Sequence, residues 1–196
     1  GRGLLILEEY AEEIKKITNI NIDIYGFDSG SGLPKPKDYR DLPYHWKKGF
    51  FTMNEKNLRA KLKKANLIIG DIETTSKNFF SKYNPAPIGA IIHDFDFYSS
   101  TKVALSMLKE DGKFFLPRIY CYFDDVIGTE TELYNDFTGE RLAINEFNAE
   151  NENIKISKSY HFAGRANEIW HHQIWMCHFL KHNEYNNFIG ESNQQL

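Results

Sequence analysis

Two short apolar runs, at residues 88–92 and 119–123, each lead directly into aspartates. The first is followed by His93-Asp94-Phe95-Asp96 and the second by Asp124-Asp125, with a helix-length segment between the runs. Apolar runs of this length are typical of buried strands, and the order strand, helix, strand predicts parallel neighbours whose carboxyl ends share one sheet edge. A carboxylate at that edge is costly unless it meets a cation or a polar ligand. We therefore predict a metal or polar-ligand site there.

The chain has 196 residues and a net charge of -3 at pH 7. A chain of this length most simply forms one domain, which we place at residues 1–190, followed by a tail at 191–196. The charge offers no basic surface for nucleic acid, and no apolar run is long enough to cross a membrane. Cys121 and Cys177 both lie in apolar runs, which favours buried reduced thiols over a disulfide. Because reduced thiols are typical of the cytoplasm, we expect a cytoplasmic protein. The partner we expect is a small-molecule or saccharide substrate, with homo-oligomerisation left open.

The rest of the chain alternates between strand and helix patterns. We predict strands over residues 20–27, 66–72, 154–162 and 169–180, and helices over residues 4–17, 55–65, 74–83 and 140–149. Asn54 is expected to cap the second of these helices, and Ser99 or Ser100 the helix that runs to about residue 110. The last two strands are expected to form an antiparallel hairpin joined by residues 163–168. This order predicts an α/β fold with a Rossmann-like, doubly wound and mostly parallel sheet.

Gly1-Arg2-Gly3 stands directly before the first predicted helix. A Gly-x-Gly turn commonly joins a strand to a helix and lets a ligand approach the backbone. We therefore expect the first strand of the sheet to precede residue 1, with a tag remnant as the alternative interpretation.

Five segments together resemble the class I S-adenosylmethionine-dependent methyltransferases. They are GRG at 1–3, GFDSGSGLP at 26–34, GDIETT at 70–75, DFDFYSST at 94–101 and FDD at 123–125. Within that class the chain is most similar to the macrocin O-methyltransferase family, whose members methylate sugar hydroxyls on natural products. The resemblance covers residues 1–125, and the DFDFYSST block with the following aspartates is its specific part.

The resemblance implies a binding site for S-adenosylmethionine. Gly1 and Gly3 would lie where the backbone approaches the methionine part of the cofactor. Asp28 would accept hydrogen bonds from the ribose hydroxyls, Asp71 would bind the adenine amino group, and Ile72 would pack on the adenine ring. The alternatives are a turn-stabilising role for Asp28 and a helix N-cap for Asp71.

The resemblance also implies a divalent metal site, with Mg²⁺ the natural candidate, formed by Asp94, Asp124 and Asp125. Asp94 and Asp124 would then be the catalytic carboxylates, because a bound cation lowers the pKa of an acceptor hydroxyl and orients it. Asp96 is expected to support or cap this site. Two alternatives remain: a solvated loop start at Asp124-Asp125, or a metal-free cluster in which one aspartate with a raised pKa acts as the base.

The catalytic base stays open among His93, His161, His171, His172 and His178. His93 is expected to face away from Asp94 and to be packed. We read a strand up to residue 180, which places His172 and His178 on one face and His171 on the other, and which argues against a zinc site at His178 and His182. The catechol-type metal methyltransferases carry a lysine shortly after the first metal aspartate, where this chain has Phe97 and Tyr98.

The predicted function is metal-assisted O-methyl transfer to a sugar or polyol hydroxyl. The alternative of a different class is a non-catalytic interaction protein that keeps the methyltransferase fold, and a third is another sugar-modifying reaction on the same sheet. The loop at residues 33–49 is rich in aromatic residues, and we expect it to act either as a lid over a sugar or as a packed loop.

Overall fold

The computed structural model of the protein describes residues 1–162, 165 and 168–190. Its described part contains six strands: β1 (Tyr25–Asp28), β2 (Asn66–Ile69), β3 (Ile88–His93), β4 (Phe115–Phe123), β5 (Ile154–Lys158) and β6 (Ile174–Phe179). Strands β1 and β2 pair in parallel, and so do β3 and β4, whereas β6 lies antiparallel between β4 and β5. The chain is thus a mixed α/β protein, and the predicted parallel pairing is found among its first four strands.

The described helices are α1 (Arg2–Thr18), α2 (Glu55–Lys61), α3 (Ile72–Thr75), α4 (Phe79–Tyr83), α5 (Tyr98–Ser106), α6 (Gly139–Glu150) and α7 (Trp170–Gln173). The predicted helices over 4–17 and 140–149 are present as α1 and α6, and Asn54 caps α2 by accepting a hydrogen bond from the backbone N–H of Asn57. The helix predicted over 74–83 is instead the two short helices α3 and α4. No helix in the described ranges combines the length and the apolar character that a membrane span requires.

The core lies between β4 and the helices α5 and α6. On β4, Ile119, Cys121 and Phe123 are buried and alternate with more exposed neighbours, as expected for one covered face of a strand. Leu105 of α5 and Ile144 of α6 belong to the same apolar cluster. Full burial of side chains of this size contributes about 1.5–3 kcal/mol each to stability. This packing fixes the carboxyl end of β4 relative to the start of α6.

The N-terminus of α5 is capped from outside the helix, which corrects the expectation that Ser99 or Ser100 is its cap. The helix begins at Tyr98, and the buried carboxylate of Asp41 accepts hydrogen bonds from the Ser99 backbone N–H (2.8 Å) and hydroxyl (3.0 Å). Asp41 belongs to the loop at residues 33–49, so this loop is tied to α5. Leu42 and Trp46 of the loop are buried with Phe97, while Tyr39 and Tyr44 stay exposed.

The last two strands are shorter than predicted. Strands β5 and β6 are antiparallel neighbours, but the chain between them contains a 3-10 turn at Tyr160–Phe162 and the helix α7. Residues 163–164, 166–167 and the predicted tail at 191–196 lie outside the described residues. The expected strand at 169–173 is therefore wrong, because this segment forms a helical turn that precedes β6.

The two sheets leave four strand edges open within the described part of the chain, at β1, β2, β3 and β5. Strand β1 pairs only with β2, and β3 pairs only with β4. Ile92 of β3 is consequently half exposed, although it lies in an apolar run. The predicted strand before residue 1 stays a prediction.

His93, the last residue of β3, is buried as an uncharged ring. It is 2% exposed and stacks on Phe123, with 4.5 Å between ring centroids and 7° between planes. Neither ring nitrogen has a hydrogen-bond partner among the described residues, and burial lowers the pKa of His93 to about 3. This burial confirms the prediction that His93 is a packed histidine.

We expect His93→Phe to be tolerated and to remove a pH dependence of folding. The unfolded chain takes up a proton on His93 below pH of about 6.5, whereas the folded protein does not until about pH 3. Wild-type stability should therefore fall as pH falls from 6.5, by at most about 1.4 kcal/mol per pH unit. Urea unfolding at pH 7.5 and pH 5 should show that His93→Phe gains about 2 kcal/mol over wild type at the lower pH. The matched control is His161→Phe, at an exposed histidine. If His93→Phe differed from wild type in unfolding free energy by the same amount at both pH values, the prediction would be contradicted.

Candidate functional site

Three carboxylates converge at the carboxyl ends of β3 and β4. One oxygen each of Asp94, Asp96 and Asp125 lies within 4.8 Å of the other two, and we call these residues the carboxylate triad. Asp94 directly follows β3, and Asp125 is the second residue after β4. The two strands are parallel neighbours in which His93 pairs with Phe123, so their ends coincide. The structure thus brings together Asp94 and Asp125, as the sequence predicted.

A left-handed turn brings Asp96 into the carboxylate triad. Asp96 has a φ of 57°, a conformation that costs most residues energy but that aspartate adopts more readily than most. Its backbone N–H donates to Asp125 Oδ2 over 2.8 Å, which holds the turn against the end of β4. Sequence reasoning missed this because it treated Asp96 only as a supporting group or cap.

Asp124 is engaged elsewhere. Its Oδ1 accepts hydrogen bonds from the Tyr122 hydroxyl (2.5 Å) and from Gln173 Nε2 (3.0 Å). Gln173 also bonds the Asp124 carbonyl, so Asp124 links the end of β4 to α7. The sequence predicted Asp124 as the third metal ligand and as a catalytic carboxylate; the carboxylate triad of the structure contains Asp96 instead, and the role of Asp124 stays a prediction.

Two residues that sequence reasoning missed hold Asp125 in place. The Tyr134 hydroxyl donates to Asp125 Oδ1 over 2.7 Å, and Glu140 Oε2 accepts from the Asp125 backbone N–H over 3.1 Å. Glu140 is fully buried at the start of α6. The sequence could have indicated this burial. Glu140 shares one helix face with Ala143, Ile144 and Phe147, which are all apolar and buried.

The carboxylates of the triad are desolvated and repel one another, which raises their pKa values. Burial and the charge of Asp125 raise the pKa of Asp96 to about 8. Burial also raises the pKa of Asp125 to about 6, against the lowering effect of its hydrogen bonds from Tyr134 and Asp96. Loss of water and the charge of Asp124 raise the pKa of Asp94. Within the described residues, no lysine or arginine forms an ion pair with the triad.

The predicted cofactor residues lie at the ends of β1 and β2. Asp28 ends β1, and its Oδ1 accepts from the Gly30 backbone N–H over 2.6 Å. Asp71 caps α3 by accepting from the Glu73 backbone N–H, and Ile72 begins that helix. Both aspartates therefore have the local backbone role that was their alternative interpretation, and their ligand roles stay predictions.

The two predicted cofactor glycines differ in their surroundings. Gly1 precedes α1, and a Cβ there would meet the Leu58 side chain. Gly3 lies in the first turn of α1, and a Cβ there would meet nothing within 4 Å. The structure leaves room beside Gly3, and the binding roles of both glycines stay predictions.

The five candidate histidines separate in the structure. His93 is buried, and His178 on β6 shares a hydrogen bond with the Tyr185 hydroxyl over 2.9 Å. His161 lies in a 3-10 turn. His171 and His172 belong to α7, which corrects their expected placement on a strand. Of these histidines, His172 lines a cavity beside the carboxylate triad.

This cavity has a volume of about 270 Å³, and its lining includes Val126, the residue that follows Asp125 in the chain. Its wall includes Tyr134, Arg141 and Lys158. Tyr134 also bonds Asp125, so one side chain borders both the cavity and the triad. We call this space the acceptor cavity.

Comparison with known proteins identifies the fold. The chain is similar to the crystal structure of CalS11, a calicheamicin methyltransferase, with a TM-score of 0.57 and 17% sequence identity. The similar region covers 88% of this chain and 67% of CalS11. The chain has a class I methyltransferase fold. No protein-family model matches the sequence, and no curated protein matches it significantly. The resemblance to the macrocin family therefore stays a prediction.

Proposed function

We propose that this chain is an S-adenosylmethionine-dependent O-methyltransferase that acts on a sugar or polyol hydroxyl with the help of a divalent cation. The observation that carries the proposal is the carboxylate triad at the carboxyl ends of two parallel strands. In open α/β sheets, ligands bind outside these strand ends. The similarity to CalS11 supports the fold, and the carboxylate triad supports metal-assisted chemistry at this site.

The residues of the triad fit a hard divalent cation such as Mg²⁺. Carboxylate oxygens are its preferred protein ligands, and a site that supplies few of them leaves positions for water or substrate oxygens. The described residues donate no hydrogen bond to the Asp96 carboxylate. Asp96 contacts Asp125 through its backbone N–H, so its carboxylate oxygens stay available to a cation. The raised pKa values of Asp96 and Asp125 reflect repulsion and desolvation that a cation would relieve.

A cation held there would lower the pKa of an acceptor hydroxyl and polarise it for attack. In methyl transfer the C–S bond of the sulfonium breaks, the C–O bond to the acceptor forms, and the hydroxyl proton passes to a base or to water. The chain's own contribution is positional. Tyr134 and Glu140 hold Asp125, and the Asp96 turn holds the third carboxylate.

The cofactor would lie along the ends of β1 and β2. Asp28 Oδ1 is engaged by Gly30, which orients the carboxylate and leaves Oδ2 to accept a ribose hydroxyl. The open space at Gly3 supports close approach of the methionine part to the first turn of α1. Asp71, as the N-cap of α3, keeps lone pairs for the adenine amino group.

Titration calorimetry with S-adenosylmethionine, with and without Mg²⁺, tests the proposal. We expect a Kd of about 1–100 µM, which Asp28→Asn should weaken at least about tenfold because a charge-assisted hydrogen bond is lost. Asp23→Asn, the same chemical change at an exposed position shortly before β1, is the matched control and should bind as wild type. Absence of binding to the wild-type protein would overturn the proposal and favour the non-catalytic interaction protein.

A further inference from the structure

We infer that the acceptor carries an acidic group, a carboxylate or a phosphate, which binds in the acceptor cavity at Lys158 and Arg141. This inference rests on the proposed function, since it names the substrate class of the same site. Both cationic side chains line the cavity, together with His172. Glu130 is the single acidic side chain among the described residues of its lining.

Lys158 is the central feature of this argument. It ends β5 and forms no ion pair with a carboxylate among the described residues. Its Nζ lies 5.5 Å from the centroid of the Trp175 ring, a contact that orients an ammonium group but leaves its three N–H donors available. A lysine placed in this way at a cavity wall is suited to an anionic ligand atom.

Arg141 is held more firmly. Its Nε and Nη2 bond Asp136, and Nη1 approaches the Val126 carbonyl over 3.4 Å. Val126 follows Asp125 and lines the cavity as well. The guanidinium is thus fixed at the wall, where its Nη1 adds a donor of fixed position to the ammonium of Lys158.

The two ends of the site differ in the groups that they present. The carboxylate triad, as proposed, takes a cation, whereas the cavity wall presents the ammonium group of Lys158 and a donor of Arg141, whose charge Asp136 offsets. Tyr134 lies between the two regions, since it bonds Asp125 and lines the cavity. An acceptor with a hydroxyl near one end and an acid at the other is therefore oriented by charge, with its hydroxyl toward the triad and its acid toward Lys158. A volume of about 270 Å³ suits one monosaccharide-sized group, because larger ligands occupy sites of about 300–1,000 Å³.

The test uses three defined probes, glucose, glucuronate and glucose 6-phosphate, titrated into the full chain and followed by NMR. The Trp175 indole N–H is a local reporter, because it donates to the His172 carbonyl over 3.1 Å and its ring lies beside Lys158. We expect at least one anionic sugar to bind about tenfold more tightly than glucose, and Lys158→Met to abolish that preference. Lys56→Met removes the same charge from an exposed position on α2 and should preserve it.

Each outcome decides the inference. A preference for glucuronate alone assigns a carboxylate, and a preference for the phosphate ester alone assigns a phosphate. Equal binding of all three sugars, no binding of any, or an unchanged preference in Lys158→Met overturns it. The sugar titrations need no S-adenosylmethionine. A failed cofactor titration would therefore overturn the proposed function without deciding whether the cavity binds an anionic sugar.

Discussion

Replacing Asp96 by asparagine should weaken Mn²⁺ binding at least about tenfold and leave the fold intact. The substitution removes one of three carboxylates whose oxygens lie within 4.8 Å of one another. Asparagine also accepts the positive φ of this position better than other uncharged residues of similar size do. Without metal the variant should be at least about 1 kcal/mol more stable than wild type at pH 7, because asparagine spares folding the cost of desolvating and protonating Asp96. Electron paramagnetic resonance of Mn²⁺ and urea unfolding in chelator measure the two effects.

The matched control is Asp124→Asn, which separates the carboxylates that lie together in the structure from the ligand set expected from the sequence. Asp124 Oδ1 is engaged by Tyr122 and Gln173, so its loss should perturb the contact with α7 and change Mn²⁺ affinity less than Asp96→Asn does. A greater loss of Mn²⁺ in Asp124→Asn would restore Asp124 as a ligand. Equal Mn²⁺ affinity in wild type and Asp96→Asn would remove Asp96 from the site.

Replacing Glu140 by alanine should cost about 2–4 kcal/mol, whereas glutamine should be tolerated. Alanine leaves a cavity in the core and removes the acceptor of the buried Asp125 backbone N–H. The Thr101 hydroxyl already donates to the Phe97 carbonyl over 2.9 Å, so its 3.3 Å contact with Glu140 Oε1 suits a carboxyl that carries a proton. Glutamine reproduces both contacts, with its carbonyl facing Asp125 and its amide donating to Thr101.

The pH dependence of the Glu140 variants follows from burial, which together with the charge of Asp125 raises the pKa of Glu140 well above its usual value. A raised folded pKa means that the contribution of the group is complete below the unfolded pKa of about 4.3 and is lost as pH rises. Glu140→Gln should therefore be more stable than wild type at pH 8 and about equal to it near pH 4.5. Unfolding curves at both pH values provide the measurement. A wild type more stable than Glu140→Gln at pH 8 would show that the carboxylate is charged and stabilised there.

Local pattern was enough to predict much of the fold. The apolar spacing of α1 and α6, the Asn54 cap and the apolar runs of β3 and β4 all act within a few residues, so they are visible in the sequence. The meeting of Asp94 and Asp125 was also predictable, because parallel neighbouring strands end at one edge.

The parts that escaped prediction depend on contacts distant in sequence. The cap of α5 comes from Asp41, 58 residues before Ser99, and the Asp96 turn is held by Asp125, 29 residues away. The helical turn at Trp170–Gln173 is tied to β4 through Asp124. Such partners exist only once the chain is folded, so no local pattern at Ser99, Asp96 or His171 announces them.

The buried group formed by Leu42, Trp46 and Phe97 has a consequence for regulation of the site. Phe97 directly follows Asp96, and Tyr134, which bonds Asp125, packs against the same group. The loop at residues 33–49 is thus linked through one small buried group to Asp96, by its neighbour Phe97, and to Asp125, by Tyr134. If a ligand shifts the packing of this group, the affinity for the proposed cation should change with it, and by reciprocity the cation should change the affinity for that ligand by the same free energy. Substitutions at Trp46, in the loop itself, should accordingly change metal affinity without touching a metal ligand.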